Sequence, residues 1–143
     1  MRDTREALLG TWRLVRVSNS SDDGQVDDRP WGTTPTGLLI YTSEGTMAAV
    51  ISYGGRPLLS ADRIAAPAAE RASAFATSFA YGGRYSVDGD RLIHHVEVAS
   101  VENWVGTDLV RTFELVDDRL TLRTPSILVG GEPRVAELVW ERA

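Results

Sequence analysis

Two neighbouring stretches decide the fold: Arg91-Leu92-Ile93-His94-His95-Val96-Glu97-Val98 and Thr107-Asp108-Leu109-Val110-Arg111-Thr112-Phe113-Glu114-Leu115. Both alternate, and a strand that alternates turns one face to a core and the other to solvent. In the first, Leu92, Val96 and Val98 share a face with His94, while His95 and Glu97 point the other way. In the second, Leu109, Phe113 and Leu115 share a face with Arg111. A histidine and an arginine thus fall on apolar faces of adjacent strands. An arginine is expensive to bury without a partner, so this placement needs a reason. A closed β-barrel with a mostly apolar interior and a few polar groups for a small ligand supplies one.

Working outward, strand and turn signals recur at short intervals. Thr4 to Leu9 reads as a short N-terminal helix with Thr4 as N-cap, followed by a strand over Gly10 to Ser18. Asn19 to Gly32 is polar and acidic, hence a long loop, and it carries Trp31. Gly37–Thr42 and Thr46–Ser52 flank Ser43-Glu44-Gly45, a hairpin signal. Ser60 to Phe79 is Ala-rich and is the only long helical stretch, broken or started at Pro67, with Phe75 and Phe79 sharing its buried face. Further strands are expected over Ala80–Val87, Arg91–Ala99, Thr107–Val116, Arg119–Thr124 and Pro133–Glu141. The total is about eight strands, nearly all hairpin-connected. An antiparallel sheet of that size closes or folds into two layers, because open edges invite aggregation. Eight strands enclose room for side chains or one small ligand. Residues 1–143 therefore read as one all-β domain, an antiparallel up-and-down barrel with one inserted helix.

Composition narrows the partners. The formal net charge is −5 and no basic cluster is present, which argues against a nucleic-acid surface. All fifteen basic side chains are Arg, a compositional bias rather than chemistry. The absence of Cys removes disulfides and thiolate chemistry. No apolar run approaches a membrane span, and the charged start Met1-Arg2-Asp3-Thr4-Arg5-Glu6 does not read as a signal peptide, so a cytoplasmic location without membrane partners is expected. A homodimer is compatible with the sequence.

Gly10-Thr11-Trp12 after a short helix resembles the Gly-x-Trp signature at the start of lipocalins. Gly37-Leu38-Leu39-Ile40-Tyr41 with Gly45-Thr46-Met47, Tyr81-Gly82-Gly83-Arg84-Tyr85, and His94 through Asn103-Trp104-Val105-Gly106-Thr107 to Arg111 extend the likeness. Together they are similar to the bacterial and fungal lipocalin-like domain family, over about Leu8 to Leu122. The resemblance implies the barrel, with Trp12 plugging its closed end beneath an arginine, for which Arg142 is the candidate. Some small barrels of this shape are cofactor-free cyclases, including Diels–Alderases, an analogy at the level of fold.

The candidate chemistry centres on His94, Arg111 and Tyr85. Arginine offers a planar fork of donors to a carboxylate or enolate oxygen, and neutral histidine can donate, accept or move a proton. Tyr85, on a face with Tyr81 and Val87, would add a phenol donor to the same cavity. The alternative is an internal network in which Arg111 pairs with a buried acid, Glu137 being the candidate if it faces inward. Trp104 and Trp31 are placed at the pocket mouth, and Met47, Tyr41, Tyr53 and Phe113 are candidate liners. His95 and Glu97 read as an exposed cross-strand pair. Adjacent His94 and His95 face opposite sides and cannot share an ion, so no metal and no cofactor is expected. No Gly-x-Ser-x-Gly elbow, phosphate loop or dinucleotide fingerprint is present. Two functions compete: a cofactor-free cyclase or isomerase acting on a largely apolar intermediate with a polar or anionic oxygen, and a non-catalytic intracellular carrier of a small hydrophobic ligand.

Overall fold

In the computed structural model, which describes residues 3–143, helix α1 (Thr4–Leu8) leads into β1 (Gly10–Ser21). Then follow β2 (Val26–Asp27), β3 (Thr36–Tyr41), β4 (Thr46–Ser52), α2 (Ala68–Ala76), β5 (Ser78–Asp88) and β6 (Arg91–Ala99). A 3-10 turn over Glu102–Trp104 precedes β7 (Asp108–Val116), β8 (Arg119–Arg123), β9 (Ile127–Val129) and β10 (Glu132–Arg142). Met1 and Arg2, part of the charged start read above, lie outside the described residues.

Each strand pairs antiparallel with its neighbours in the order β2-β1-β3-β4-β5-β6-β7-β8-β10-β9, and β1 also pairs with β10. That last pairing, from Trp12↔Arg142 to Ser21↔Arg134, closes eight strands into a barrel and leaves β2 and β9 as flaps at one rim. Closure removes the long edges that an open sheet of this size would expose. Alternation fills the inside: Met47, Ala49 and Ile51 on β4, Leu92, His94 and Val96 on β6, and Leu120 and Leu122 on β8 are all buried.

One end is sealed. Trp12 is fully buried, and its indole N–H donates to the Leu8 carbonyl at 2.9 Å. The Arg142 guanidinium lies 4.2 Å over the Trp12 ring and donates to the carbonyls of Leu9 and Ala7, each at 2.8 Å. One side chain therefore supplies a cation–π contact and satisfies carbonyls that the end of α1 leaves without helical partners.

Three local expectations change. The N-cap of α1 is Asp3, whose carboxylate accepts the Arg5 N–H, and not Thr4, which is already helical. The Ala-rich stretch is helical only over Ala68–Ala76. Ser78 is already paired with Ser52 in the β4–β5 ladder, so Phe79 belongs to a strand and shares no helix face with Phe75, which is 59% exposed. Val98 faces out at 67% exposure, because the β5–β6 register shifts between Gly82 and Gly83, opposite Val98 and Val96. An extra residue on one strand reverses the alternation beyond it. Gly83 permits this close approach: a Cβ there would stand 2.0 Å from the His95 carbonyl oxygen.

Candidate functional site

The end of the barrel opposite Trp12 opens into a cavity of about 640 Å³. Its mouth is aromatic. Trp31, in the loop between β2 and β3, stacks on Tyr53 at 5.1 Å between ring centroids and meets Phe79 edge-on at 5.5 Å. Phe79 meets Trp104 at 5.4 Å, and Trp104 meets Tyr81 at 5.8 Å. The loop is held in place by the Gly54 N–H, which donates to the Trp31 carbonyl at 2.9 Å. Ile127 and Leu128 of β9 complete the rim, and Leu39, Ala49, Leu122 and Trp140 form the deeper wall. Trp140 is 1% exposed, and its indole nitrogen has no hydrogen-bond partner among the described residues.

Polar groups converge on this apolar wall from three consecutive strands. His94 of β6 is completely buried. Its Nε2 is 2.7 Å from the Tyr41 hydroxyl and its Nδ1 is 2.9 Å from the Tyr81 hydroxyl. Burial, then the Arg111 charge and finally His95, push its pKa down to about 3, so the imidazole is neutral at physiological pH. Burial also raises the pKa of both phenols, which therefore stay protonated, while the nearby Arg111 guanidinium partly opposes the rise at Tyr81. Arg111 is half-buried, lines the cavity and donates to the Val110 carbonyl at 3.0 Å. Among the described residues no carboxylate pairs with it: Glu137 faces Arg123 instead, at 2.6 Å. The internal acid that would have neutralised Arg111 is not there.

Of the residues singled out in the sequence, His94, Arg111, Trp104, Trp31 and Tyr53 line the one cavity. Tyr41 stands behind His94 and touches the cavity only through it. Tyr85 must be corrected: its hydroxyl donates to the Thr42 carbonyl at 2.8 Å, which turns it away from the cavity and under the Arg5 guanidinium. Met47 is core, 4% exposed, and does not reach the cavity. Phe113 packs, partly buried, against the core and is not among the residues lining this cavity. His95 does not pair with Glu97. On the outer wall its Nδ1 is 2.7 Å from Asp108 and its Nε2 is 2.9 Å from Ser86, an exposed network of small energetic worth.

Tyr81 is the main residue that sequence reading passed over. Alternation places it four residues before Tyr85 on the same face, but nothing in the sequence says which of the two hydroxyls meets His94. Phe79 was hidden by its assignment to a helix.

A family model described as a lipocalin-like domain matches residues 9–143. Among solved structures, the chain is similar to a lipocalin-like protein from Bacteroides uniformis, with 12% sequence identity over 95% of this chain and 98% of that one, and a TM-score of 0.49. No curated protein matches the chain.

Proposed function

Because this chain belongs to the lipocalin-like domain family, whose fold suits small-molecule binding, we propose that it encloses a small, largely apolar molecule held by an anionic oxygen at Arg111. The observation that carries this reading is the guanidinium without a carboxylate partner in the wall of an otherwise aromatic and aliphatic cavity. A ligand oxygen supplies the missing counter-charge, and the aromatic collar covers the apolar body.

Acting on that molecule as a cofactor-free cyclase or isomerase fits the same geometry. Enclosure holds a flexible substrate near its reactive shape, and Arg111 with Tyr81 is suited to stabilise charge developing on an enolate oxygen. His94 is not the proton carrier in such a reaction: both its nitrogens are occupied, and it stays neutral far below physiological pH. That same locked histidine favours a second reading, a carrier that only sequesters its ligand, since the lining residues include no carboxylate and no imidazole with a free nitrogen.

Displacement of the neutral fluorophore N-phenyl-1-naphthylamine by dodecanoic acid tests the anchor. Arg111→Leu is expected to weaken dodecanoate by about 10- to 100-fold, the range for a charge-assisted hydrogen bond, with fluorophore affinity kept. Equal dodecanoate affinity in both proteins would sink the proposal. Turnover of a co-purifying ligand's precursor then separates cyclase from carrier.

A further inference from the structure

Hydrogen-bond accounting fixes the direction of the Tyr41–His94–Tyr81 chain. The inference rests on the small-molecule reading above and specifies what its anchor recognises. Tyr41 is 1% exposed, and the only hydrogen-bond partner of its hydroxyl among the described residues is His94 Nε2. Were Nε2 to carry the hydrogen and donate, the buried Tyr41 O–H would be left with no acceptor. An unpaired buried donor carries the full desolvation penalty, so the phenol donates and Nε2 accepts. A neutral imidazole with a bare Nε2 has its hydrogen on Nδ1, and that N–H then donates to the Tyr81 oxygen, 2.9 Å away.

The consequence falls on Tyr81. Its oxygen already accepts from His94 and lies beside the guanidinium of Arg111, so its own hydrogen cannot return to either group. Tyr81 and Arg111 both line the cavity. The polar wall at this point therefore presents donors only: a phenol O–H and the remaining guanidinium N–H groups.

We infer that Tyr41 and His94 are positioning residues that hold Tyr81 as an obligate donor beside Arg111, so that the site selects ligands whose polar end only accepts: carboxylates, or enolates of the same geometry. A ligand ending in an N–H donor meets no acceptor here. A neutral ester offers a carbonyl oxygen to the two donors but no charge to the guanidinium.

The test has a spectroscopic and a binding arm. Nitrogen-15 NMR of the histidine side chains in the ligand-free protein is expected to show His94 protonated at Nδ1 and bare at Nε2. The opposite tautomer would overturn the inference. In the binding arm, dodecanoic acid, methyl dodecanoate and dodecylamine compete with N-phenyl-1-naphthylamine. The wild type is expected to rank acid above ester above amine. Tyr41→Phe, which frees Nε2 and lets Tyr81 turn its hydrogen toward His94, is expected to lower the acid-to-ester preference about tenfold and to shift the His94 tautomer. Tyr81→Phe is expected to lower the preference similarly while leaving Nδ1 protonation at His94 unsupported. If the wild type binds fluorophore and acid but both variants keep the same acid-to-ester ratio, the donor relay is wrong and the pocket stands. If the wild type binds none of the four molecules, the pocket reading fails and takes the relay with it.

Discussion

His94 shows at the scale of one residue how burial decides chemistry. A histidine in water titrates near 6.5, but this one is held neutral down to about 3 by desolvation and by the charge of Arg111. Its unfolded form takes up a proton at a higher pH than its folded form, so acid favours unfolding. Stability from this group is complete above about pH 6.5 and is lost progressively as the pH falls towards 3, by an amount on the order of several kcal/mol. Denaturant unfolding followed between pH 7 and pH 4 is expected to show the wild type losing more stability than His94→Gln. Parallel pH profiles for the two proteins would show that His94 does not titrate this way. The sequence exposed the anomaly, since His94 and Arg111 stand out on apolar faces by alternation alone. It did not show the partners: the Tyr41 hydroxyl, on β3, reaches His94 across the barrel from a strand distant in sequence, and on the neighbouring β5 nothing in the sequence says which tyrosine hydroxyl meets it.

At the scale of the element, β5 and β6 carry the site, and their bulge sets it. The register shift at Gly82/Gly83 turns Val98 out while keeping Tyr81 and His94 within hydrogen-bond reach. Gly83→Ala would drive a Cβ to 2.0 Å from the backbone oxygen of His95, which cannot yield as a side chain can. We expect a loss of at least about 2 kcal/mol in urea unfolding, with the cavity's fluorophore binding weakened in the remaining folded protein. Unchanged stability would mean that the bulge relaxes without cost. Gly82-Gly83 reads in the sequence as a turn or bulge pair, but its effect does not: strict alternation placed Val98 inside, and a single extra residue overrides it. The strands themselves were legible, because Asp-Gly and Asp-Asp turns punctuate alternating runs. The α2 boundary was not, because the Ala-rich composition suits a helix up to Phe79 whereas pairing with β4 takes over at Ser78.

The whole molecule is a barrel with one end sealed and one end open. Arg142 over Trp12 and the carbonyls of α1 close the first, and the β1–β10 pairing that closes the wall also sets β2 and β9 at the second. This polarity gives the cavity its single aromatic mouth and places the Arg111–Tyr81 wall inside it. Closure was readable from strand count and the cost of open edges, and the sealed end from the likeness of Gly10-Thr11-Trp12. The depth to which side chains fill the barrel was not: Met47, Tyr85 and Phe113 lie on inward faces, yet they belong to the packed part, not the hollow part.

The most direct measurement of the central claim is native mass spectrometry of the protein purified from its own host, followed by solvent extraction of whatever it carries. We expect an added mass that leaves on denaturation and proves to be a largely apolar acid, absent from Arg111→Leu prepared alongside. A bare protein mass, together with no thermal shift against a panel of apolar acids, would contradict it and make the Arg111 cavity a feature of the fold without a ligand.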